Sequence, residues 1–214
     1  MQTIPFADIP VLFESVGRLF QEKKEELCEM DARLGDGDLG LTMSKGYGAL
    51  PEAMKAAAES AGGDVGKLLV KGSMTMSSVS PSTMGFLMAS GLMEAGKALK
   101  GVQEITAQGL AQLLTAFAAG IQKRGKCQPG ERTILDSVLP GAEKAAAAAE
   151  SGADLAAVIE AAKQGAAAGV EATKDMAPKY GKAAVHAAAA AGTVDQGAVA
   201  GYYLICGLWN YICK

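Results

Sequence analysis

Apolar residues recur at three- and four-residue spacing along almost the whole chain, the signature of helices that each bury one face. Pro10 can open a first helix, with Leu12, Val16, Leu19 and Leu27 on its apolar side and Lys23, Lys24, Glu25 and Glu26 mostly on the wet one. Further helices are predicted over Leu41–Ala61, Asp64–Met74, Thr83–Leu99, Ile105–Lys123, Thr133–Glu150, Asp154–Lys174, Ala183–Ala191 and Gln196–Ile212. Pro51 falls inside the second and is expected to kink it, because proline donates no backbone hydrogen bond. Small Gly/Pro clusters separate these elements. No linker is long enough to divide the chain and no internal repeat is visible, so 1–214 is read as one all-α domain.

Composition supports this reading. Aromatics make up 5% of the 214 residues, whereas Ala, Gly and Met are plentiful, a balance that favours close-packed helices over a β-sandwich. Lys plus Arg number 20 against 23 Asp plus Glu, and a net charge of −3 argues against nucleic acid as a partner. The uncharged run Gln196–Cys213 carries Asn210, three glycines and two adjacent tyrosines, so a buried terminal helix explains it better than a membrane span. Cys28, Cys127, Cys206 and Cys213 form no C-x-x-C pair, and a single histidine leaves a zinc site short of ligands. With no secretory signal at the N-terminus, these thiols are expected to be reduced and the protein cytoplasmic.

The segment Asp31-Ala-Arg-Leu-Gly-Asp36-Gly-Asp38-Leu-Gly40 interrupts the helical pattern with three aspartates and three glycines. Carboxylates crowded into one turn repel each other unless a cation lies between them, and hard oxygen ligands select magnesium or calcium. A calcium loop starting at Asp36 would place Leu41 at its turn glycine and Tyr47 at its bidentate glutamate, so that reading fails. A solvated Asp-Gly turn is the simpler account of an isolated D-G-D, and Asp31 one helical end earlier weakens that account without displacing it.

Two stretches, Gly91–Ala98 and Gly120–Cys127, imitate the start of a P-loop, but each lacks the final Ser or Thr and follows no strand. Lys123, Arg124 and Lys126 suit the end of a helix. The hydroxyl-rich Met76–Thr83 could present hydroxyls and backbone N–H groups to an anion, or supply an ordinary N-cap at Ser82 or Thr83. Gly130-Glu131-Arg132-Thr133 and Asp195-Gln196-Gly197 are two more polar helix entrances, and His186 beside an alanine run is read as packed or superficial.

Taken together, these segments resemble the nucleotide-binding L subunit of dihydroxyacetone kinase over nearly the whole chain. The resemblance is carried by D-x3-G-D-G-D-x-G at Asp31–Gly40 and by Gln122-Lys-Arg-Gly-Lys126 with Pro129-Gly130, Thr133 and Asp136. Glu171-Ala-Thr-Lys-Asp-Met176, Gly181 and Asp195-x-Gly197-Ala198 complete it. It implies an antiparallel barrel of about eight amphipathic helices with ADP or ATP bound at one end, one fewer than the nine segments above. It also implies two magnesium ions held by Asp31, Asp36 and Asp38. The nucleotide contacts it implies fall on Leu39, Gly40, Leu41, Thr42, Val79, Ser80, Gly125, Ile134, Lys182, Asp195, Gln196 and Gly197.

The sequence departs from the family pattern at several of these positions. Leu39 and Thr42 replace the usual His and Asn, and Ser77–Pro81 replaces a glycine-rich loop. Lys182 replaces Arg, which keeps the charge and loses the two-pronged fork. Ala187, Ala188 and Ala189 replace a Gly-Glu-Arg run.

The resemblance further implies a kinase subunit that passes a phosphoryl group to dihydroxyacetone or a related ketose, held covalently through a histidine of a partner subunit. The phosphate donor is ATP or a phosphotransferase-system protein. Homodimerisation stays open, and the competing reading is a nucleotide-binding sensor or adaptor without transfer.

Overall fold

Leu12, Phe13, Val16 and Phe20 line one buried face of α1 (Ile9–Glu22), and the remaining helices repeat this arrangement around a common core. The computed structural model describes residues 2–185 and 190–214. After α1 come α2 (Lys24–Ala32), α3 (Leu39–Ala61), α4 (Val65–Val79) and α5 (Thr83–Ala98). They are followed by α6 (Ala107–Gly125), α7 (Leu135–Glu150), α8 (Leu155–Ala172), the short α9 (Gly181–Val185) and α10 (Gln196–Cys213).

Eight of these helices pack side by side in a closed ring: α1 against α3, then α4, α5, α6, α7, α8 and α10, which returns to α1. Neighbours run in opposite directions where their contacts can be followed. Met54 meets Gly72 while Met76 meets Gly46, and Pro140 meets Gly165 while Asp136 meets Gly169. The expected all-α fold of about eight amphipathic helices is thus present. The surplus segment of the sequence reading is α9, and the first expected helix divides at Lys23, where the backbone leaves helical geometry (φ −96°, ψ 7°).

Local chemistry fixes the helix starts. Asp64, Ser82, Thr106, Asp154 and Asp195 each accept a hydrogen bond from the backbone N–H three residues on, which satisfies a donor the first turn leaves open. Pro51 and Pro140 lie inside α3 and α7, which continue through them. Each proline deprives the carbonyl four residues back, Tyr47 and Asp136, of its helical donor. In both cases a glycine of the neighbouring helix faces that carbonyl. A Cβ on Gly17 would lie 3.1 Å from the Tyr47 oxygen, and one on Gly169 would lie 2.1 Å from the Asp136 oxygen.

Tyr47 fills the centre of the core, stacked on Phe20 with ring centroids 5.0 Å apart, its hydroxyl 3.5 Å from the Met88 sulfur. Burial drives its phenol far above the ordinary range, so it stays neutral. A two-residue antiparallel pairing of Ile4–Pro5 with Glu104–Ile105 ties the N-terminus to the α5–α6 connection. The four cysteines are free thiols, and among the described residues no helix is long and apolar enough to cross a membrane.

Candidate functional site

Asp31 closes the last turn of α2, and its backbone carbonyl accepts from the N–H groups of Leu34 and Gly35. One carboxylate oxygen of Asp31 accepts from the Asp38 N–H at 3.1 Å, which folds the connecting loop back on itself. Gly37 turns the chain with φ +76°, and a side chain at Gly35 would strike the Asp31 carboxylate, its Cβ 2.4 Å from Oδ1. Asp38 stands at the N-cap position of α3 without capping it. As a result Asp31, Asp36 and Asp38 each offer an oxygen within 4.8 Å of the other two, Asp31 buried and the others exposed.

This donor set fits magnesium. Octahedral coordination at about 2.0–2.1 Å places ligand oxygens about 3–4 Å apart, and carboxylates are its preferred protein ligands. The Gln196 amide, 3.4 Å from Asp31 Oδ1, ties the start of α10 to the same cluster.

The cluster opens on a cleft of about 350 Å³ at one end of the helical ring. Leu39, Thr83, Ile134 and Gln196 all line it, so the N-termini of α3, α5, α7 and α10 converge there. Helix N-termini carry partial positive charge and unpaired N–H groups, the ordinary setting for phosphate. Met84 and Leu87 supply an apolar wall. A carboxylate cluster for cations beside several helix starts for anions is an arrangement for a metal-bound phosphate ester.

The α6–α7 connection is built around Asp136, whose carboxylate accepts from Gly130 N at 2.6 Å and Thr133 N at 2.7 Å. The 178–180 strand of chain is fastened to that connection. The Tyr180 hydroxyl donates to the Lys126 carbonyl at 3.1 Å, and Lys179 pairs with Glu131. On the opposite side Thr173 Oγ1 accepts from the Asp195 N–H, and Asp195 caps α10 through Ala198 N. Burial lifts the Asp195 carboxyl to about 6, against the pull of the Ala198 N–H and of the nearby Arg132.

Among the residues expected from sequence, Asp31, Asp36, Asp38, Leu39, Ile134, Asp195, Gln196 and Gly197 line this one cleft. Ser80 and Thr42 stand behind its wall: Ser80 Oγ donates to the Thr42 carbonyl, and the Thr42 and Ser82 hydroxyls are 3.4 Å apart. Gly40 serves packing, because a Cβ there would lie 1.9 Å from the Lys24 carbonyl. Leu41 is 55% exposed on the first turn of α3. Val79 lies in the last turn of α4, so the expected serine loop shrinks to Ser80–Ser82, and Gly125 ends α6. Lys182 lies in α9, and its side chain, with His186 and Ala187–Ala189, falls outside the described residues.

The cleft also draws in Ser82, Thr83, Arg132, Thr133, Tyr180 and Gly181. Most of these belong to stretches the sequence marks as polar helix entrances, but nothing in the sequence signals that Arg132 is buried.

Comparison with known proteins follows the same lines. The chain is 28% identical to the ADP-binding subunit DhaL of the PEP-dependent dihydroxyacetone kinase of Escherichia coli, over 88% of this chain and 89% of that one. It is 34% identical to human triokinase/FMN cyclase over 83% of this chain, and 30% identical to the D-erythrulose kinase of Mycolicibacterium smegmatis over 87%. It spans only 30% and 32% of those two longer proteins. In fold it is similar to the crystal structure of the dihydroxyacetone kinase of C. freundii in complex with AMP-PNP and Mg2+. The TM-score is 0.70 at 21% identity, over 96% of this chain and 34% of that one. The family profile of the DAK2 domain matches residues 33–210, and the chain belongs to that family.

Proposed function

We propose that the chain is the nucleotide- and magnesium-binding subunit of a short-chain ketose kinase, which passes a phosphoryl group to a ketose held by a partner subunit. The observation that carries this reading is the convergence of Asp31, Asp36 and Asp38 on the same cleft as four helix N-termini. Magnesium bound by the three carboxylates would neutralise charge on the phosphate oxygens, which is most of what phosphoryl transfer asks of a protein.

The chain's own groups then orient and exclude. The helix starts at Leu39, Thr83, Ile134 and Gln196 would offer N–H groups to the phosphates, and Met84 and Leu87 would give the nucleotide an apolar wall. Among the described residues the cleft holds no histidine, and the chain's single one, His186, lies outside them. In this account the group that binds and deprotonates the ketose belongs to the partner subunit, as the family resemblance implies.

The relatives' names support the class of reaction. They include an ADP-binding kinase subunit, a triokinase and a D-erythrulose kinase, so dihydroxyacetone and a tetrulose are the acceptors to try. Among the relatives' names, a PEP-dependent kinase with an ADP-binding subunit and a PTS-dependent one support trying a phosphotransferase protein as donor beside ATP.

The test combines the purified chain with a ketose-binding subunit and each ketose, offering ATP in one arm and a phosphorylated phosphotransferase protein in the other. One donor is expected to give the ketose phosphate. No product with either donor and either ketose, at any subunit ratio, would leave a nucleotide-binding adaptor as the better account.

A further inference from the structure

Arg132 is a buried cation whose hydrogen bonding is incomplete. The residue is 3% exposed yet lines the cleft that holds Asp31, Asp36 and Asp38. Its Nη2 donates to the carbonyl and hydroxyl oxygens of Thr193, both at 3.0 Å. Nε and Nη1 are buried without a hydrogen-bond partner among the described residues.

Guanidinium donors left unpaired away from water are costly and uncommon, so their retention calls for a reason. The bonds to Thr193 occupy Nη2 alone and leave Nε and Nη1 unexplained. The position is nevertheless firmly specified. Asp136 grips the backbone on both sides, at Gly130 and Thr133, and Arg132 is held between them with φ +57°. Buried Asp195 and Asp136 set a negative field around it. No carboxylate oxygen among the described residues bonds the two open donors, which the oxygens of an oxyanion in the cleft could take up.

We propose that Arg132 is a phosphate-binding residue of this cleft, its Nε and Nη1 groups completed by oxygens of a nucleoside diphosphate or triphosphate bound across from the three carboxylates. The proposal rests on the reading of the cleft as a nucleotide site. An arginine here suits phosphate better than lysine would, because its donors are fixed in a plane rather than borne on one mobile ammonium.

The test is titration of ADP with magnesium into the wild type, R132Q, R132K and T193V, with far-UV circular dichroism as the check on folding. R132Q is expected to weaken ADP by about 10–100-fold and R132K by less, while T193V stays within about twofold of wild type. Magnesium pyrophosphate is expected to compete with ADP on the wild type and to compete about tenfold less well on R132Q. Should R132Q not fold, R132K decides alone through the same loss in both titrations.

Unchanged ADP affinity in R132Q, or in R132K where that variant decides, overturns the proposal and leaves the nucleotide reading standing. An equal loss in T193V makes Arg132 a strut for the turn before α10. A loss for ADP without a loss for pyrophosphate moves Arg132 to the base or ribose. Either of these last two results overturns the proposal as well. Failure of every form, wild type included, to bind ADP overturns both this proposal and the reading beneath it.

Discussion

Asp195 shows how much a single buried carboxylate can matter at this site. Burial raises it from an ordinary 3.8 to about 6, so the folded state holds its proton more tightly than the unfolded chain does. The resulting penalty is absent below about pH 4, grows as pH rises through 6 and is complete at pH 7, where it is on the order of 3 kcal/mol. Arg132 and Asp136 are the charged neighbours that act on it, in opposite directions. Asn at this position keeps an oxygen for the Ala198 N–H and removes the buried charge. Urea unfolding is therefore expected to find D195N more stable than wild type at pH 7, by up to about 2–3 kcal/mol, with the gap closing as pH falls to 4.5. A gap that stays constant with pH would show that the charge of Asp195 is not what strains the fold.

At the scale of elements, the caps and glycines decide where helices begin and how closely they approach. One close case is Gly169, whose missing side chain lets α8 lie against the Asp136 carbonyl that Pro140 has freed. G169A would force α7 and α8 apart at the end that carries the α6–α7 connection. A loss of about 1–3 kcal/mol in thermal or urea unfolding is expected. G48A is the control, since a Cβ there meets nothing within 4 Å, and it is expected to be neutral or stabilising by up to about 1 kcal/mol. Equal effects in the two would remove the close approach as an explanation. The helices themselves were largely readable, because a 3.6-residue period and a capping residue are local signals. Asp64, Ser82 and Asp154 mark their starts in the sequence as they do in the structure. The break at Lys23 was not readable, since the polar run Lys23–Glu26 continues a helical face without interruption. The pairing of Ile4–Pro5 with Glu104–Ile105 was hidden for the opposite reason, being two residues long and a hundred residues apart.

For the whole molecule, the closed ring of helices brings segments distant in sequence to one end. Asp31 and Gln196 are 165 positions apart and share a hydrogen bond, and the loops before α3, α5, α7 and α10 meet around one cleft. The three aspartates were legible because carboxylate crowding is a local pattern, and family resemblance supplied the more scattered contacts. Arg132 was legible only as a polar residue near a helix start. Its burial, its bonds to the turn before α10 and the two donors left without a partner among the described residues are long-range features that no local pattern records. The ring also explains why some expected contacts act from behind the wall: Ser80 and Thr42 brace each other rather than line the cleft. The account stands on the claim that Asp31, Asp36 and Asp38 hold a cation that in turn holds a nucleotide. Calorimetric titration of ADP into the wild type and D36A, each with magnesium and with EDTA, tests it most directly. Binding is expected to require magnesium in the wild type and to weaken at least about 100-fold in D36A, with helical content unchanged. Wild-type affinity indifferent to EDTA, or D36A binding as the wild type does, would contradict it.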